Sequence, residues 1–364
     1  MKVAEIGSIL EEFAPLYYQE SYDNSGLLVG DPNAVIESAL LCIDVTEQII
    51  DEAISNDHKL IISHHPLIFK GLKSITDHNS IERIVVKAIK NDIAIYAAHT
   101  NLDSVNRGVS AKMCDKLGIK NYSILSPLPN SLLKLVVFVP NSHEDVVRTA
   151  LFEVGAGHIG NYDCCSYNLN GRGTFRAGEG TNPFVGKQGK LHTEEEVRIE
   201  AICPKQIIST VIKALVSSHP YEEPAYDIYP LENSLPQAGL GMIGKLDKAM
   251  PVNDFLVLLK STFNASSIRY TAPVKDHIEH VAVCGGSGFS LMYDAIANKA
   301  DIFITADIKY HQFFEAEGKI TLADIGHYES EQFTVEIVQE LLSEKIPTFA
   351  TQLSKFNSNP INYI

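Results

Sequence analysis

At 364 residues the chain is long for a single core, because domains of about 100 to 200 residues are the rule, so two or three packing units are expected. Its 45% hydrophobic and 21% charged residues exclude a disordered chain, and no apolar run approaches the roughly 20 residues that a membrane-crossing helix needs. The net charge of -15, acidic in 1–130, 131–235 and 236–364 alike, withholds the positive field that a phosphate backbone requires, which makes nucleic acid an unfavourable partner.

Apolar residues at Val3, Ile6, Ile9, Leu10 and Phe13 predict an amphipathic helix over 3–14, closed by Pro15. This opening contains Glu5 and lacks a basic end followed by an unbroken apolar stretch, so it does not read as a signal peptide and a cytoplasmic protein is expected. In that reducing setting the six cysteines, none in a Cys-x-x-Cys pair, read as small buried apolar residues. Short apolar runs at 39–45, 60–63 and 93–98 read as strands, and the helical spacing near 46–56 and 80–90 places helices between them. The rhythm returns late, with strands at 281–284, 301–305 and 321–325 and helices near 289–299 and 309–317. Alternation of this kind predicts an α/β fold with largely parallel sheets.

Between these blocks the pattern changes. A strand at 135–140, a helix at 144–154, alternating stretches near 162–168 and 196–202, a helix near 205–218 and a strand at 226–229 give a βαββαβ order. Pro127, Pro129, Pro236, Gly239 and Gly241 cluster at its edges. The expected organisation is therefore one core built from 1–130 and 236–364, with an inserted α+β domain over 131–235.

Three predicted strands end in chemistry. His64 and His65 follow the strand at 60–63; His99 and Asp103 follow the strand at 93–98; His327 and Glu331 follow the strand at 321–325. Ligands in open α/β sheets bind beyond the carboxyl ends of strands, and a spacing of four puts each His/carboxylate pair on one face of a helical turn. A lone histidine at a strand end is usually just a hydrogen-bonded residue. Four histidines and two carboxylates are more ligands than one tetrahedral zinc ion uses, and they match a pair of divalent ions with a bridging carboxylate. Zinc is the first choice on the donor set; iron, manganese, cobalt and nickel are chemically acceptable. In support, Gly286, Ser287 and Gly288 form a turn after a strand where backbone N–H groups could hold an anion, and Asp307 and His311 could orient ligands. His219-Pro220-Tyr221-Glu222-Glu223 reads as a turn, and Glu194-Glu195-Glu196 as a solvated charge run.

The segments Tyr22-Asp23-Asn24-Ser25-Gly26-Leu27, Ser63-His64-His65-Pro66-Leu67, His99-Thr100-Asn101-Leu102-Asp103, Gly285-Gly286-Ser287-Gly288 and His327-Tyr328-Glu329-Ser330-Glu331, in this order, resemble the GTP cyclohydrolase I type 2 homologues, the NIF-three-like family. The resemblance covers nearly the whole chain. It implies metal ligation by His64, His65, Asp103, His327 and Glu331 with His99 beside them, a toroidal homohexamer, and a likeness of the inserted segment to PII and CutA domains. Its name implies hydrolytic opening of GTP. The expected function is metal-dependent hydrolysis of a nucleotide-like small molecule; the alternative is a metal-bound regulatory or scaffold assembly that binds a small effector.

Overall fold

The computed structural model describes residues 1–364, which divide into two compact units, one made of Met1–Ser126 with Ala238–Ile364 and the other of Pro127–Gln237. In chain order the strands of the first half are β1 (Gly26–Val29), β2 (Ser38–Cys42), β3 (Leu60–Ser63), β4 (Ala94–Ala97) and β5 (Lys120–Leu128). Those of the middle are β6 (Leu132–Pro140), β7 (Tyr167–Arg176), β8 (Leu191–Pro204) and β9 (Tyr226–Leu231). The last part contributes β10 (Leu235–Pro251), β11 (Arg269–Tyr270), β12 (His277–Val283), β13 (Ile302–Thr305), β14 (Thr321–Asp324) and β15 (Ala350–Leu353).

The discontinuous unit holds two sheets. One has the order β1-β4-β3-β2-β15, parallel except for β1; the other has the order β11-β14-β13-β12-β10-β5, with β12, β13 and β14 parallel. Both are buried on two faces. Along β2, Ala39 and Leu41 enter one apolar cluster while Leu40 and Cys42 enter another; along β12, Val281 and Val283 face one cluster and Ala282 a second. This explains why these strands read as continuous apolar runs with no alternation.

The covering helices start where local chemistry allows. Thr46 Oγ1 accepts from the Ile49 amide ahead of Glu47–Ser55, and Asn79 Oδ1 accepts from the Glu82 amide ahead of Ser80–Lys90. Each then buries one stripe, Ile49, Ile50 and Ala53 in the first and Ile84, Val85 and Ala88 in the second. Burial of a side chain such as Ile49 or Ile84 stabilises the fold by about 1.5–3 kcal/mol.

The two blocks read from the sequence are interlaced rather than self-contained. Strand β15, from the end of the chain, pairs in parallel with β2, and β5, from the first half, joins the second sheet beside β10. The helix expected near 309–317 is a 3-10 helix, Tyr310–Ala316, preceded by Asp307 at a left-handed φ of 57°. The Pro- and Gly-marked boundary near 236–241 lies inside a 17-residue strand, β10.

In the 127–237 unit the strands take the order β7-β8-β6-β9, all antiparallel, and the helices Glu144–Glu153 and Ile208–Ser218 cover one face. Leu135, Val137, Val139, Val197 and Ile199 point toward those helices, so the residues that alternate with them point the other way. One consequence corrects the sequence reading: Glu196, taken as part of a solvated run, is buried, whereas Glu195 is exposed. Four cysteines are buried as expected, but Cys164 is exposed and Cys165 half-buried; all six are free thiols. No helix is long and apolar enough to cross a membrane.

The apolar cluster of the 127–237 unit shares no residue with the clusters of the other unit. Replacing residues 127–237 by a short linker is therefore expected to leave a core that unfolds cooperatively and still takes up divalent metal. A denaturant titration with elemental analysis checks this, and non-cooperative unfolding of the soluble excised protein would contradict it.

Candidate metal centre

The carboxyl ends of β3, β4 and β14 open onto one cavity of about 740 Å³, whose lining includes His65, His99, Asp103, His327 and Glu331. His64 lies beneath them, 2% exposed. All six residues expected to ligate metal are thus brought together. His65 Nε2 stands 3.0 Å from Glu331 Oε2, His327 Nε2 stands 3.1 Å from the same oxygen, and His64 Nε2 lies 3.7 Å from Glu331 Oε1 and 3.8 Å from Asp103 Oδ1. The ring of His99 lies 5.2 Å from that of His64 and 5.3 Å from that of His65. Two groups have donor atoms close enough to hold an ion, His64 with His65 and His99, and His65 with His327 and Glu331.

Each imidazole is fixed through its other nitrogen. His65 Nδ1 donates to Asp44 Oδ1, His99 Nδ1 to Asp23 Oδ1 and His327 Nδ1 to Asp307 Oδ2, all at 2.7 Å, while His64 Nδ1 donates to the Ala98 carbonyl at 2.9 Å. This leaves the four Nε2 atoms facing one another across the cavity, where each can give its lone pair to a cation once deprotonated. His65 Nε2 and His327 Nε2 are 3.3 Å apart. His64 Nε2, Asp103 Oδ1 and Glu331 Oε2 are buried without an aligned hydrogen-bond partner. Unpaired buried polar atoms are costly unless something else satisfies them, and this set of hard oxygen and imidazole donors is what a divalent cation accepts.

The electrostatics agree. Burial would raise the Glu331 carboxyl, but His64, His327 and His65 around it hold it well below the usual carboxylate range. Burial, reinforced by the charge of Glu331 and opposed by the histidines, pushes Asp103 up to about 6. For His65, burial is outweighed by Asp44 and Glu331, and the imidazole is pushed up to about 9; for His327, Asp307 and Glu331 outweigh burial and push it up to about 11. The cluster is a negative pocket that holds protons when no other cation fills it.

The supporting positions fall out unevenly. Asp307 orients His327, but His311 is exposed, packs edge-on against Tyr310 and does not line the cavity, because Asp307 is left-handed and Lys309 extended, so no helical turn joins Asp307 to His311. In the glycine turn the Gly286 amide donates to Ser330 Oγ at 2.9 Å and the Gly288 amide to Thr305 Oγ1 at 2.8 Å, so both point into the fold rather than at an anion. Gly286, at φ 59°, is required by packing: a Cβ there would collide with Glu331 Oε1. The turn lets backbone close over the central carboxylate. Ser287 lines the cavity. Sequence reasoning missed Asp23 and Asp44. Asp44 follows β2 just as His64 follows β3, so a carboxylate at a neighbouring strand end was the available signal.

The sequence matches the profile of the Duf34/NIF3 (NGG1p interacting factor 3) family over residues 1–360. The chain belongs to this family. It is 42% identical over 373 residues, with both chains fully covered, to the GTP cyclohydrolase 1 type 2 homolog of Halalkalibacterium halodurans, and 35% identical over 370 residues to that of Bacillus subtilis, covering 99% of this chain and 98% of the other. The crystal structure of a Bacillus cereus protein related to NIF3 superposes with a TM-score of 0.83 at 38% identity, covering 100% of this chain and 99% of that one. For this NIF3-family chain, the similarity spans both units and all the strand ends that carry the centre.

Two outcomes follow for the cluster as a cation site. With no metal bound, His65 and His327 are protonated at neutral pH, so zinc added to chelator-treated protein is expected to release protons at pH 7, and the release is expected to shrink as pH rises through about 9. Apparent affinity should rise with pH over the same range, which potentiometric titration against a competing chelator would record. Asp44→Asn, which keeps the shape but weakens the grip on His65 Nδ1, is expected to lower metal affinity about 10–100-fold in the same competition, with unchanged affinity counting against the orienting role.

Proposed function

We propose that this chain holds two divalent metal ions between His64, His65, His99, Asp103, His327 and Glu331 and uses them to hydrolyse a nucleotide-like small molecule. The observation that carries the reading is the pair of donor groups sharing His65, with unpaired Glu331 and Asp103 oxygens between them, at the floor of an open cavity. Zinc is the first choice for these ligands.

A bound pair of divalent ions supplies Lewis acidity and lowers the pKa of water from 15.7 to about 7. The chain supplies the rest. Asp23, Asp44 and Asp307 hold the imidazoles with Nε2 presented, and Glu331 offers one oxygen toward each donor group. Pro66, Leu67, Ile68, Phe69 and Leu291 form an apolar wall, against which the ring of a substrate can lie while Glu20, Tyr22, Ser287 and Ser290 offer polar contacts. The volume suits a nucleotide-sized molecule, and GTP is the candidate named by the relatives' description. The family resemblance further supports a toroidal homohexamer and a PII/CutA-like character for residues 131–235, and the absence of a signal-peptide pattern supports a cytoplasmic location. A second reading, a metal-bound regulatory assembly, is favoured by a separate cavity inside that unit.

Elemental analysis of gently purified protein is expected to give two ions per chain, with Glu331→Gln losing both and His64→Ala losing mainly one. The metal-loaded protein is then screened for turnover against a metabolite mixture that includes GTP, beside Asp103→Ala. Turnover by the wild type that disappears on chelation and in Asp103→Ala supports hydrolysis. Full metal occupancy without turnover of any compound would replace hydrolysis by the regulatory reading, and absence of metal uptake would overturn both.

A further inference from the structure

Outside the metal centre, a second cavity, about 680 Å³, lies wholly within the 127–237 unit, on the face of its sheet that the helices leave open. Two glycines in the middle of β7 line it. Gly171 pairs with Glu196 of β8, and a side chain built on Gly171 would meet nothing within 4 Å, so a place that a strand residue normally fills is vacant. At Gly173 a Cβ would collide with Glu196 Oε2, so glycine there makes room for the carboxylate. Glycine inside a strand weakens it and often marks a close approach by a ligand or another backbone.

The carboxylate on this floor is short of partners. Glu196 is 8% exposed and accepts a hydrogen bond from Tyr221 Oη at 3.0 Å. The buried carboxylates of Glu52, Glu82, Asp301 and Asp324 each accept three or four. Of the arginines that line the cavity, Arg172 pairs with Glu195 and Arg198 with Glu200, Arg176 makes no ion pair, and none of the three pairs with Glu196. Glu222 is also spent, holding the Asn182 amide and so the loop between β7 and β8. Around Glu196 stand Phe138, Phe175, Phe184 and Tyr221, with Phe184 half exposed at 51%. A buried carboxylate is stable when paired, and aromatic faces attract a cation through their quadrupole. Glu196 belongs to no group of three ligand atoms at metal spacing, so a metal ion is not the matching charge.

We propose that this cavity is a second binding site, for a small organic cation: an amine or quaternary ammonium joined to an apolar or aromatic body, with its charged head against Glu196 and its body against the four rings. Such a ligand completes the hydrogen bonding of Glu196 and covers apolar surface that is otherwise exposed. The site uses no residue of the metal centre, so it stands whether or not the hydrolytic reading holds.

The test is calorimetric titration of the full chain with phenethylamine as probe, beside its neutral analogue 2-phenylethanol. Saturable binding of the amine at roughly millimolar concentration or below is expected, with the alcohol weaker and affinity for the amine falling about thirtyfold or more in Glu196→Gln. Because that variant could disturb folding, Gly171→Val serves as a second one: it fills the vacant place, favours the strand and leaves the carboxylate intact. It is expected to abolish amine binding while thermal unfolding stays unchanged or moves up. No binding by the wild type, equal binding of amine and alcohol, or undiminished amine binding in either variant would overturn the proposal.

Discussion

Glu331 is a carboxylate buried to 3% exposure with three imidazoles around it, and the arrangement of the first unit follows from keeping that charge neutralised. An unpaired charge at such depth would cost several kcal/mol, so its partners cannot be optional. They come from strand ends in two different sheets: His64 and His65 after β3, and His327 after β14, one helical turn before Glu331 itself. The two sheets must therefore face each other with their carboxyl ends aligned. The exchange of edge strands, β15 into the first sheet and β5 into the second, ties them together by backbone hydrogen bonding rather than by side-chain packing alone.

Three of the four imidazoles are held by a carboxylate from a neighbouring strand. Asp44, beyond β2, serves His65 of the next strand; Asp307, beyond β13, serves His327 beyond β14; Asp23, before β1, serves His99 beyond β4. The parallel neighbours β2/β3 and β13/β14 repeat one geometry, while Asp23 reaches His99 from ahead of the antiparallel strand β1. The pairing also explains Gly286 and Gly288: with β12 and its turn adjacent to β13, close approach to Glu331 and Thr305 leaves no space for a Cβ.

How much of this was legible depended on the range over which each signal acts. The strands ahead of His64, His99 and His327 announced themselves because sheets buried on both faces need unbroken apolar runs, and their ends located the ligands. The Asp23 contact spans 76 residues and the Asp44 contact 21, so neither shows in local spacing, and only the position of Asp44 beyond β2 hinted at its role. His311 was misplaced because the four-residue spacing assumes a helical turn from Asp307, whereas Asp307 is left-handed and the helix begins only at Tyr310. Glu196 was misread for a related reason: three successive glutamates look uniformly polar, whereas in an extended strand the middle one faces away from its neighbours. β10 was hidden by its own glycines and proline, which signal a break when read locally but are tolerated where β12 and β5 flank the strand.

The position of the 127–237 unit in the chain has a physical logic of its own. The chain leaves the first unit from β5 and re-enters through β10, which are neighbours at one edge of the six-stranded sheet. The strand that delivers His327 and Glu331, β14, is separated from β10 by β12 and β13, and β3 and β4 belong to the other sheet. An insertion between paired edge strands closes a short gap whatever it contains, so its loop-closure cost falls on backbone already held together by the ladder. It need not shift any strand that ends in a ligand. The same separation keeps the two buried, under-paired carboxylates in different units, Glu331 in the discontinuous one and Glu196 in the inserted one. Each can be matched to its own cation without the geometry of one constraining the other.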